Sequence, residues 1–208
     1  MRPILAAALA AGLAFAGLAA STAASAAPGV SSTKAADLPA GAYVLDKSHA
    51  SLTAKLSHMG FSNYTLRFTK FDAGFSYDPK APQASKITVT VDPASLETGA
   101  PSFNKELIGD GWLEAGKYPT ITFVSTSVDV GDGVHGKVAG DLTFHGVTKP
   151  VVLDVAFNGV GAGLAPGSTR TGFSATTTIK RTDFGVSKYA PLVGDDVTLA
   201  IEVEFTPK

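Results

Sequence analysis

The chain of 208 residues contains no cysteine. Disulfides, a thiolate nucleophile, thiolate metal ligands and an acylated cysteine on a membrane are therefore excluded. A basic excess is missing as well, because 17 Lys and Arg residues face 18 Asp and Glu residues, for a formal net charge of −1. A protein that neutralises nucleic-acid phosphates needs such an excess or a Lys/Arg cluster. We therefore expect no nucleic-acid partner, and stability that comes from the core alone.

Catalytic and metal-binding motifs are also missing. Gly-x-Ser-x-Gly, the turn that presents the nucleophile of many serine hydrolases, does not occur. His49, His58, His135 and His145 lie on separate segments, without the short ligand spacing that is typical of zinc sites. The sequence therefore predicts no catalytic residue, no metal and no cofactor. An enzyme that uses His58 or His145 as a base on a lipid stays open as an alternative.

The longest apolar run lies at the N-terminus. Arg2 precedes an unbroken stretch of Ala, Leu, Phe, Ile and Gly over residues 4–20, and Ala24-Ser25-Ala26 is a small-residue cleavage site. This pattern predicts a secretory signal peptide over residues 1–26, cleaved after Ala26. A membrane anchor is the alternative, and the Ala-rich composition disfavours it. We expect an exported protein with no stable membrane span.

The segment after the cleavage site has a different composition. Residues 27–40 are rich in Ser, Thr, Ala and Pro and show no periodicity, which predicts a disordered lead. No second change of composition follows, so residues 41–208 are predicted to form one domain.

Alternating apolar and polar residues fill this domain. Residues 141–157 are the central example, because two alternating runs flank a turn marked by Gly146 and Pro150 and predict an antiparallel hairpin. Residues 64–77 read as one strand with a bulge between Phe68 and Phe71. The whole pattern predicts roughly eight strands, the number at which a closed antiparallel barrel has room for one small ligand.

Two questions about this barrel stay open: whether its centre is hollow, and what the segment at one end of it does. The inward face of the strand at residues 50–58 carries alanines, whereas a β-sandwich would fill its centre with branched side chains. Residues 101–116 carry Phe103, Leu107 and Trp112 at helical spacing, with Ser102 as N-cap, and predict a short helix. That helix either lids the barrel or is merely a packed connector.

An apolar pocket inside the barrel is the predicted site. Each aromatic residue taken alone suits a core, but a closed sheet lined by aromatics, with alanines on one inward face, is typical of a ligand cavity. His58, His145 or Arg181 would orient a polar head at a rim, although an ion pair of Arg181 with Asp183 is the favoured structural alternative for that arginine. The candidate ligand-binding residues are Leu52, Ala54, Leu56, His58, Phe61, Phe68, Phe71, Phe75, Leu107, Trp112, Phe123, Phe144, His145, Phe173, Arg181 and Phe184.

Several longer motifs carry a family resemblance. They are His58-Met59-Gly60-Phe61-Ser62, Phe75-Ser76-Tyr77-Asp78-Pro79, Leu107-Ile108-Gly109-Asp110-Gly111-Trp112, Gly140-Asp141-Leu142-Thr143-Phe144-His145-Gly146-Val147-Thr148-Lys149-Pro150-Val151 and Arg181-Thr182-Asp183-Phe184-Gly185-Val186. In this order they resemble the YceI-like family of exported bacterial lipid-binding proteins. The resemblance implies an all-β, lipocalin-like eight-stranded antiparallel barrel that holds a polyisoprenoid or fatty-acid-like chain in its lumen, often as a homodimer and without catalytic machinery.

The sequence therefore leads to a functional hypothesis. We expect a periplasmic protein that binds, sequesters or transports a long-chain amphipathic lipid. A structural or partner-binding β-domain with a solid core remains the other non-enzymatic alternative.

Overall fold

Antiparallel strands make up most of the computed structural model, which describes residues 29–208. The predicted signal peptide lies outside the described residues. Within them, no helix has both the length and the apolar character needed to cross a membrane. The elements are β1 (Gly29–Ser32), β2 (Gly41–Leu45), β3 (Ser51–His58), β4 (Ser62–Phe68), β5 (Phe71–Tyr77), β6 (Lys86–Val91), β7 (Leu96–Glu97), α1 (Pro101–Leu107), β8 (Ile121–Asp129), β9 (His135–Phe144), β10 (Val147–Ala162), β11 (Thr169–Lys180) and β12 (Asp196–Pro207).

Eight of these strands close into a barrel. Around the ring the order is β10, β9, β8, β6, β5, β2, β12 and β11, and β11 pairs with β10 to complete the circle. Every pairing in the ring is antiparallel. The structure thus confirms the predicted lipocalin-like eight-stranded barrel with one short helix.

Strand β12 changes partner along its length. Its last residues pair with β2, where Phe205 lies opposite Leu45, and its first half pairs with β3, where Leu199 lies opposite Ala54. A single turn of 3-10 helix separates β2 from β3, and the Asp46 carboxylate caps it by accepting a hydrogen bond from the Ser48 N–H at 3.0 Å. The hairpin of β3 and β4 therefore extends the wall at one end of the barrel.

The hairpin of β9 and β10 shows how local chemistry sets the register. His145 and Gly146 both adopt positive φ, at 51° and 76°, between the paired residues Phe144 and Val147. Two such residues form the type I′ turn that suits the twist of a hairpin. The turn is thus shorter than the sequence suggested, and Pro150 lies inside β10 opposite Asp141. Because hydrogen-bonded pairs alternate from the turn, Pro150 falls at a pair that needs no N–H donor.

Three expectations from the sequence differ from the structure. Within the predicted disordered lead, β1 pairs with the end of β10, and a 3-10 turn, Ala35–Asp37, follows. The chain turns at residues 69–70, so Phe68 and Phe71 lie on the separate strands β4 and β5 rather than around a bulge. The helix N-cap is Ala100 rather than Ser102, because Pro101 occupies the first helical position, where no N–H is needed.

Candidate functional site

An apolar cavity of about 370 Å³ lies inside the barrel beside α1. Phe103 and Leu107 of α1, together with Trp112 and Leu113 of the turn after it, form one side of the wall. Another part of the wall comes from β3 and β12, whose inward residues include Ala54 and Leu199. Helix α1 and its following turn therefore cover the cavity, as expected for a lid.

A second cavity of about 200 Å³ continues the lumen away from α1. The two cavities share wall residues from four strands, namely Leu52, Val89, Leu153 and Ile201. Together they fall within the range of ~300–1,000 Å³ that is usual for small-molecule sites. The interior of the barrel is therefore hollow, unlike the solid core expected of a purely structural β-domain.

Aromatic rings from several strands form part of the wall of the second cavity. The ring of Phe75 on β5 stands 4.9 Å from that of Phe205 on β12 and 5.5 Å from that of Phe173 on β11. Phe173 also lies 5.3 Å from Phe157, and Tyr43 stacks on Phe75 at 4.8 Å. Because β5 and β11 are three places apart in a ring of eight strands, these contacts cross the interior. Aromatic packing therefore narrows the lumen at the second cavity.

One end of the barrel carries the turns that surround the α1 side of the lumen. There β11 ends at Lys180 opposite Asp196, and the β3–β4 hairpin turns between His58 and Ser62. The loop of residues 185–194 joins this end through a bridge between His58 and Val193 and a 2.8 Å hydrogen bond from the Met59 N–H to the Leu192 carbonyl. We call this end the mouth.

Arg181 is a charged side chain in the wall of the larger cavity, and only 3% of the residue is exposed. Its guanidinium donates to the carbonyls of Gly194 at 2.9 Å, Val186 at 2.8 Å and Val193 at 2.6 Å. Burial lowers the pKa of Arg181 from its ordinary value, and the charge of Asp195 opposes that shift. None of the hydrogen bonds that Arg181 makes within residues 29–208 goes to a carboxylate, so its positive charge is compensated by carbonyl dipoles.

The predicted ion pair of Arg181 with Asp183 gives way to this arrangement. The Asp183 carboxylate lies 3.4 Å from the Lys149 Nζ, on the exposed side of the loop. Arg181 faces inward instead, because its donors find three backbone carbonyls there.

Two other polar groups lie at the mouth. Trp112 Nε1–H donates to the Glu106 carboxylate at 3.3 Å, and both residues line the larger cavity. The His145 ring lies outside the cavity wall, with Nδ1 3.1 Å from the Phe184 carbonyl. Its Nε2 is buried and has no hydrogen-bond partner among residues 29–208, the nearest carboxylate oxygen being that of Glu114 at 3.8 Å.

The structure divides the predicted ligand-binding residues into three groups. Those in the wall of the larger cavity are Leu52, Ala54, Leu56, His58, Phe68, Leu107, Trp112, Phe123, Phe144 and Arg181. Those in the wall of the smaller cavity, besides Leu52, are Phe71, Phe75 and Phe173. Those outside both walls are Phe61, His145 and Phe184.

The last three residues lie outside the cavity walls for separate reasons. Phe61 follows Met59 and Gly60, whose positive φ values of 53° and 74° reverse the chain, and it is 86% exposed. His145 occupies a left-handed turn position. Phe184 ends a 3-10 turn and packs behind the wall, 5.5 Å from the Phe144 ring.

The sequence-based prediction of ligand-binding residues concentrated on aromatic side chains and missed several aliphatic residues of the cavity wall. Val197, Leu199 and Ile201 of β12 line the larger cavity, as do Val151 and Leu153 of β10. The alternation of apolar and polar residues in both segments was visible in the sequence and could have identified them.

A polar cluster at the surface resembles a metal site by residue type alone. Asp46, His49 and Glu204 place carboxylate and imidazole atoms close together. However, Arg170 Nη1 stands 2.5 Å from both the Asp46 and the Glu204 carboxylates, where it supplies the positive charge that a cation would bring. The Arg170 hydrogen bond, followed by that of His49, holds the pKa of Asp46 well below its ordinary value.

The closed antiparallel barrel with an enclosed apolar lumen defines a lipocalin-like protein. The sequence profile of the YceI-like domain matches residues 43–205, and the chain belongs to this family. A UPF0312 protein of Vibrio cholerae is 42% identical over 164 residues, which cover 77% of this chain and 85% of that protein.

Two solved structures share the fold. The Campylobacter jejuni YceI protein is 35% identical, with a TM-score of 0.66, over 73% of this chain and 90% of that one. BcnA of Burkholderia cenocepacia is 27% identical, with a TM-score of 0.70, over 77% of this chain and 98% of that one.

Proposed function

We propose that the protein binds a long-chain amphipathic lipid, of the polyisoprenoid or fatty-acid-like class, in the lumen of its barrel. In this proposal it is exported to the periplasm and sequesters or transports the lipid without changing it chemically. The observation that carries the proposal is the pair of adjoining cavities, whose walls are almost entirely aliphatic and aromatic. The family resemblance supports the same ligand class.

The energetics favour a chain over a compact ligand. Burial of apolar surface contributes about 25 cal/mol per Å², or about 0.8 kcal/mol for each CH₂ group. A lumen that runs from the mouth to the ring of Phe75 lets successive CH₂ groups or isoprene units contribute in a row. Affinity should therefore rise with chain length until the lumen is full.

The polar groups support one orientation of the ligand. Arg181, Glu106 and His58 lie in the wall of the larger cavity, at the mouth, whereas the lumen around Phe75 and Phe173 is apolar. A lipid with its tail toward Phe173 would place its head near Arg181. Because three carbonyls already hold the guanidinium, its remaining N–H donors are oriented in advance.

Native mass spectrometry of the protein purified from its host without detergent tests the proposal. A stoichiometric apolar adduct that organic extraction identifies as an isoprenoid or acyl lipid is the expected result. A clean apo mass, together with no uptake of either class of lipid, would remove the proposal. Chemical change of an added lipid during incubation would instead favour the enzyme alternative. The mass of the intact assembly in the same spectrum would show whether the protein forms the dimer that the family resemblance implies.

A pair of variants on neighbouring residues localises the ligand. Ala54 points into the larger cavity, and Lys55, the next residue of β3, is exposed on the outer face. Ala54→Phe should fill part of the lumen and reduce lipid occupancy about tenfold, because several buried CH₂ contacts are lost. Lys55→Phe adds the same ring outside and should leave the occupancy unchanged. Equal occupancy in the two variants would contradict a ligand site in the lumen.

A further inference from the structure

Two loop tips at the mouth carry exposed apolar side chains. Met59 and Phe61 form the turn of the β3–β4 hairpin and are 49% and 86% exposed. Tyr189 and Leu192 belong to the neighbouring loop and are 58% and 61% exposed. Since the Met59 N–H donates to the Leu192 carbonyl, the two tips are fixed side by side. We call these four residues the apolar rim.

The apolar rim is continuous with the lumen. Tyr189 is exposed and yet lines the larger cavity, where its ring lies 5.9 Å from that of Trp112. Val193 and His58, which bridge the two tips, line the same cavity. An apolar chain that left the cavity at this point would meet apolar side chains before it met water.

The two tips carry one formal charge, and it is positive. Residues 57–65 and 185–194 contain Lys188 and His58 but no Asp or Glu. Lys188 Nζ lies 5.4 Å from the Trp112 ring centroid and 5.5 Å from that of Tyr189, at the inner side of the apolar rim. The next carboxylate along the chain, Asp195, is engaged by the Thr182 N–H and hydroxyl at 2.9 Å each.

We propose that the apolar rim docks on the surface of an anionic phospholipid bilayer, with Met59, Phe61 and Leu192 inserted among the lipids and the mouth of the lumen facing the membrane. This inference rests on the proposed function, since a carrier of a membrane lipid must meet the bilayer. Aromatic and aliphatic side chains on the protein surface, next to a lysine, suit the boundary between headgroups and acyl chains. Exposed apolar groups of this kind otherwise cost solubility without a gain in folding.

The other end of the barrel offers a matched control. Leu164 lies in the loop between β10 and β11 and is 91% exposed. It is separated from the mouth by the length of β11, about 36 Å at roughly 3.3 Å per residue. Leu164 is thus as exposed as Phe61 but lies far from the apolar rim.

Site-specific fluorescence tests the docking directly. Because the chain has no cysteine, Phe61→Cys and Leu164→Cys each create a single attachment point for an environment-sensitive nitrobenzoxadiazole label. Vesicles of phosphatidylcholine with phosphatidylglycerol should shift the emission of the label at position 61 to shorter wavelength and increase its intensity. The label at position 164 should not respond. Equal responses at both positions, or none at either, would overturn the inference.

Vesicle co-sedimentation of the unlabelled chain provides a second measurement. The double variant Phe61→Ser with Leu192→Ser should bind the same vesicles about tenfold less than the wild type, and Leu164→Ser should bind as the wild type does. Sedimentation velocity distinguishes another occupant: a dimer that only the double variant dissociates would assign the apolar rim to a second copy of the chain and overturn docking. Lipid that co-purifies with a wild type that binds no vesicles would leave the proposed function in place and remove only the membrane inference.

Discussion

Gly140 is a residue whose missing side chain shapes the cavity wall. A Cβ placed there would stand 2.6 Å from the Val124 carbonyl oxygen and would clash with the Phe123 ring. Phe123 lines the larger cavity and is paired with the strand that carries Gly140. The Phe123 ring can therefore lie against β9 because the glycine leaves room for it.

Gly140→Ala should lower the free energy of unfolding by about 1–3 kcal/mol, the usual cost of overpacking. Urea denaturation of the wild type and the variant measures it. Gly116→Ala is the control, because a Cβ at that position meets nothing within 4 Å. An equal effect of the two substitutions would mean that the contact with Phe123 is not responsible.

Asp46 gives the surface cluster a defined pH dependence. Its pKa lies well below the ordinary value of 3.8, chiefly because Arg170 donates to it and next because His49 does. A carboxyl whose pKa is depressed by folding stabilises the folded state above its ordinary pKa, and this contribution is lost as the pH falls. The wild type should therefore lose stability on acidification below about pH 4.

Asp46→Asn should reduce the slope of that acid limb and lower the stability at neutral pH. Thermal unfolding between pH 2 and pH 7, a range set to cross the ordinary carboxyl pKa, measures both effects. Arg170→Gln removes the other member of the Arg170–Asp46 ion pair and should also reduce the slope of the acid limb. An unchanged acid limb in both variants would show that other carboxylates account for it.

At the scale of elements, Arg181 joins the 3-10 turn Arg181–Phe184 to the loop of residues 185–194. Its three donors hold the carbonyls of that loop, so the guanidinium supports one tip of the apolar rim. A lysine keeps the charge but cannot present three donors in a plane.

Arg181→Lys should destabilise the protein by about 3 kcal/mol, because hydrogen bonds from a charged group contribute about 1.5–3 kcal/mol each and lysine recovers only part of them. Chemical denaturation measures the loss, and limited proteolysis should cut first within residues 185–194. Arg67→Lys, at an exposed position of β4, is the control and should change stability by less than about 0.5 kcal/mol. Equal stability of the two variants would contradict the role of Arg181 as the anchor of the loop.

Elements with a plain alternation were predictable from the sequence, and turns were not. Val197, Leu199 and Ile201 point into the lumen as the period of two requires, and the eight-strand barrel follows from many such runs. Phe61 was assigned to the pocket, yet positive φ values just before it turn its side chain outward. A left-handed turn depends on tertiary pairing as much as on residue type, so no periodicity reveals the side to which the next residue points.

The contact between α1 and the lumen was predictable only in part. Leu107 and Trp112 face the cavity as their spacing suggested, although Trp112 lies beyond the end of the helix. For Arg181 the sequence offered both a position at the pocket and an ion pair with Asp183, and it favoured the ion pair because the backbone carbonyls that hold the guanidinium leave no trace in the sequence.

At the scale of the whole molecule, Phe173 limits the depth of the lumen. Its ring contacts those of Phe75, Phe157 and Phe205, which come from three other strands. Phe173→Ala should enlarge the smaller cavity and shift the extracted ligands toward longer chains, as read by mass spectrometry. It should also cost about 3–5 kcal/mol of stability, as large-to-small changes of a packed phenylalanine do.

Val124→Ala, on the outer surface of β8, removes apolar volume at a 51% exposed position and should leave the ligand profile unchanged. A Phe173→Ala protein that folds and carries the same chain lengths as the wild type would show that another part of the lumen sets the length.

If the protein binds a lipid as proposed, the aromatic packing between β5 and β11 would also set the direction in which the lipid enters and leaves. A tube open along its whole length would let a lipid pass through, but here aromatic rings cross the lumen away from the mouth. A lipid that enters tail first must then leave head first, with its tail shielded until the last step. Whatever receives the lipid would meet the headgroup before the chain, so recognition would precede release.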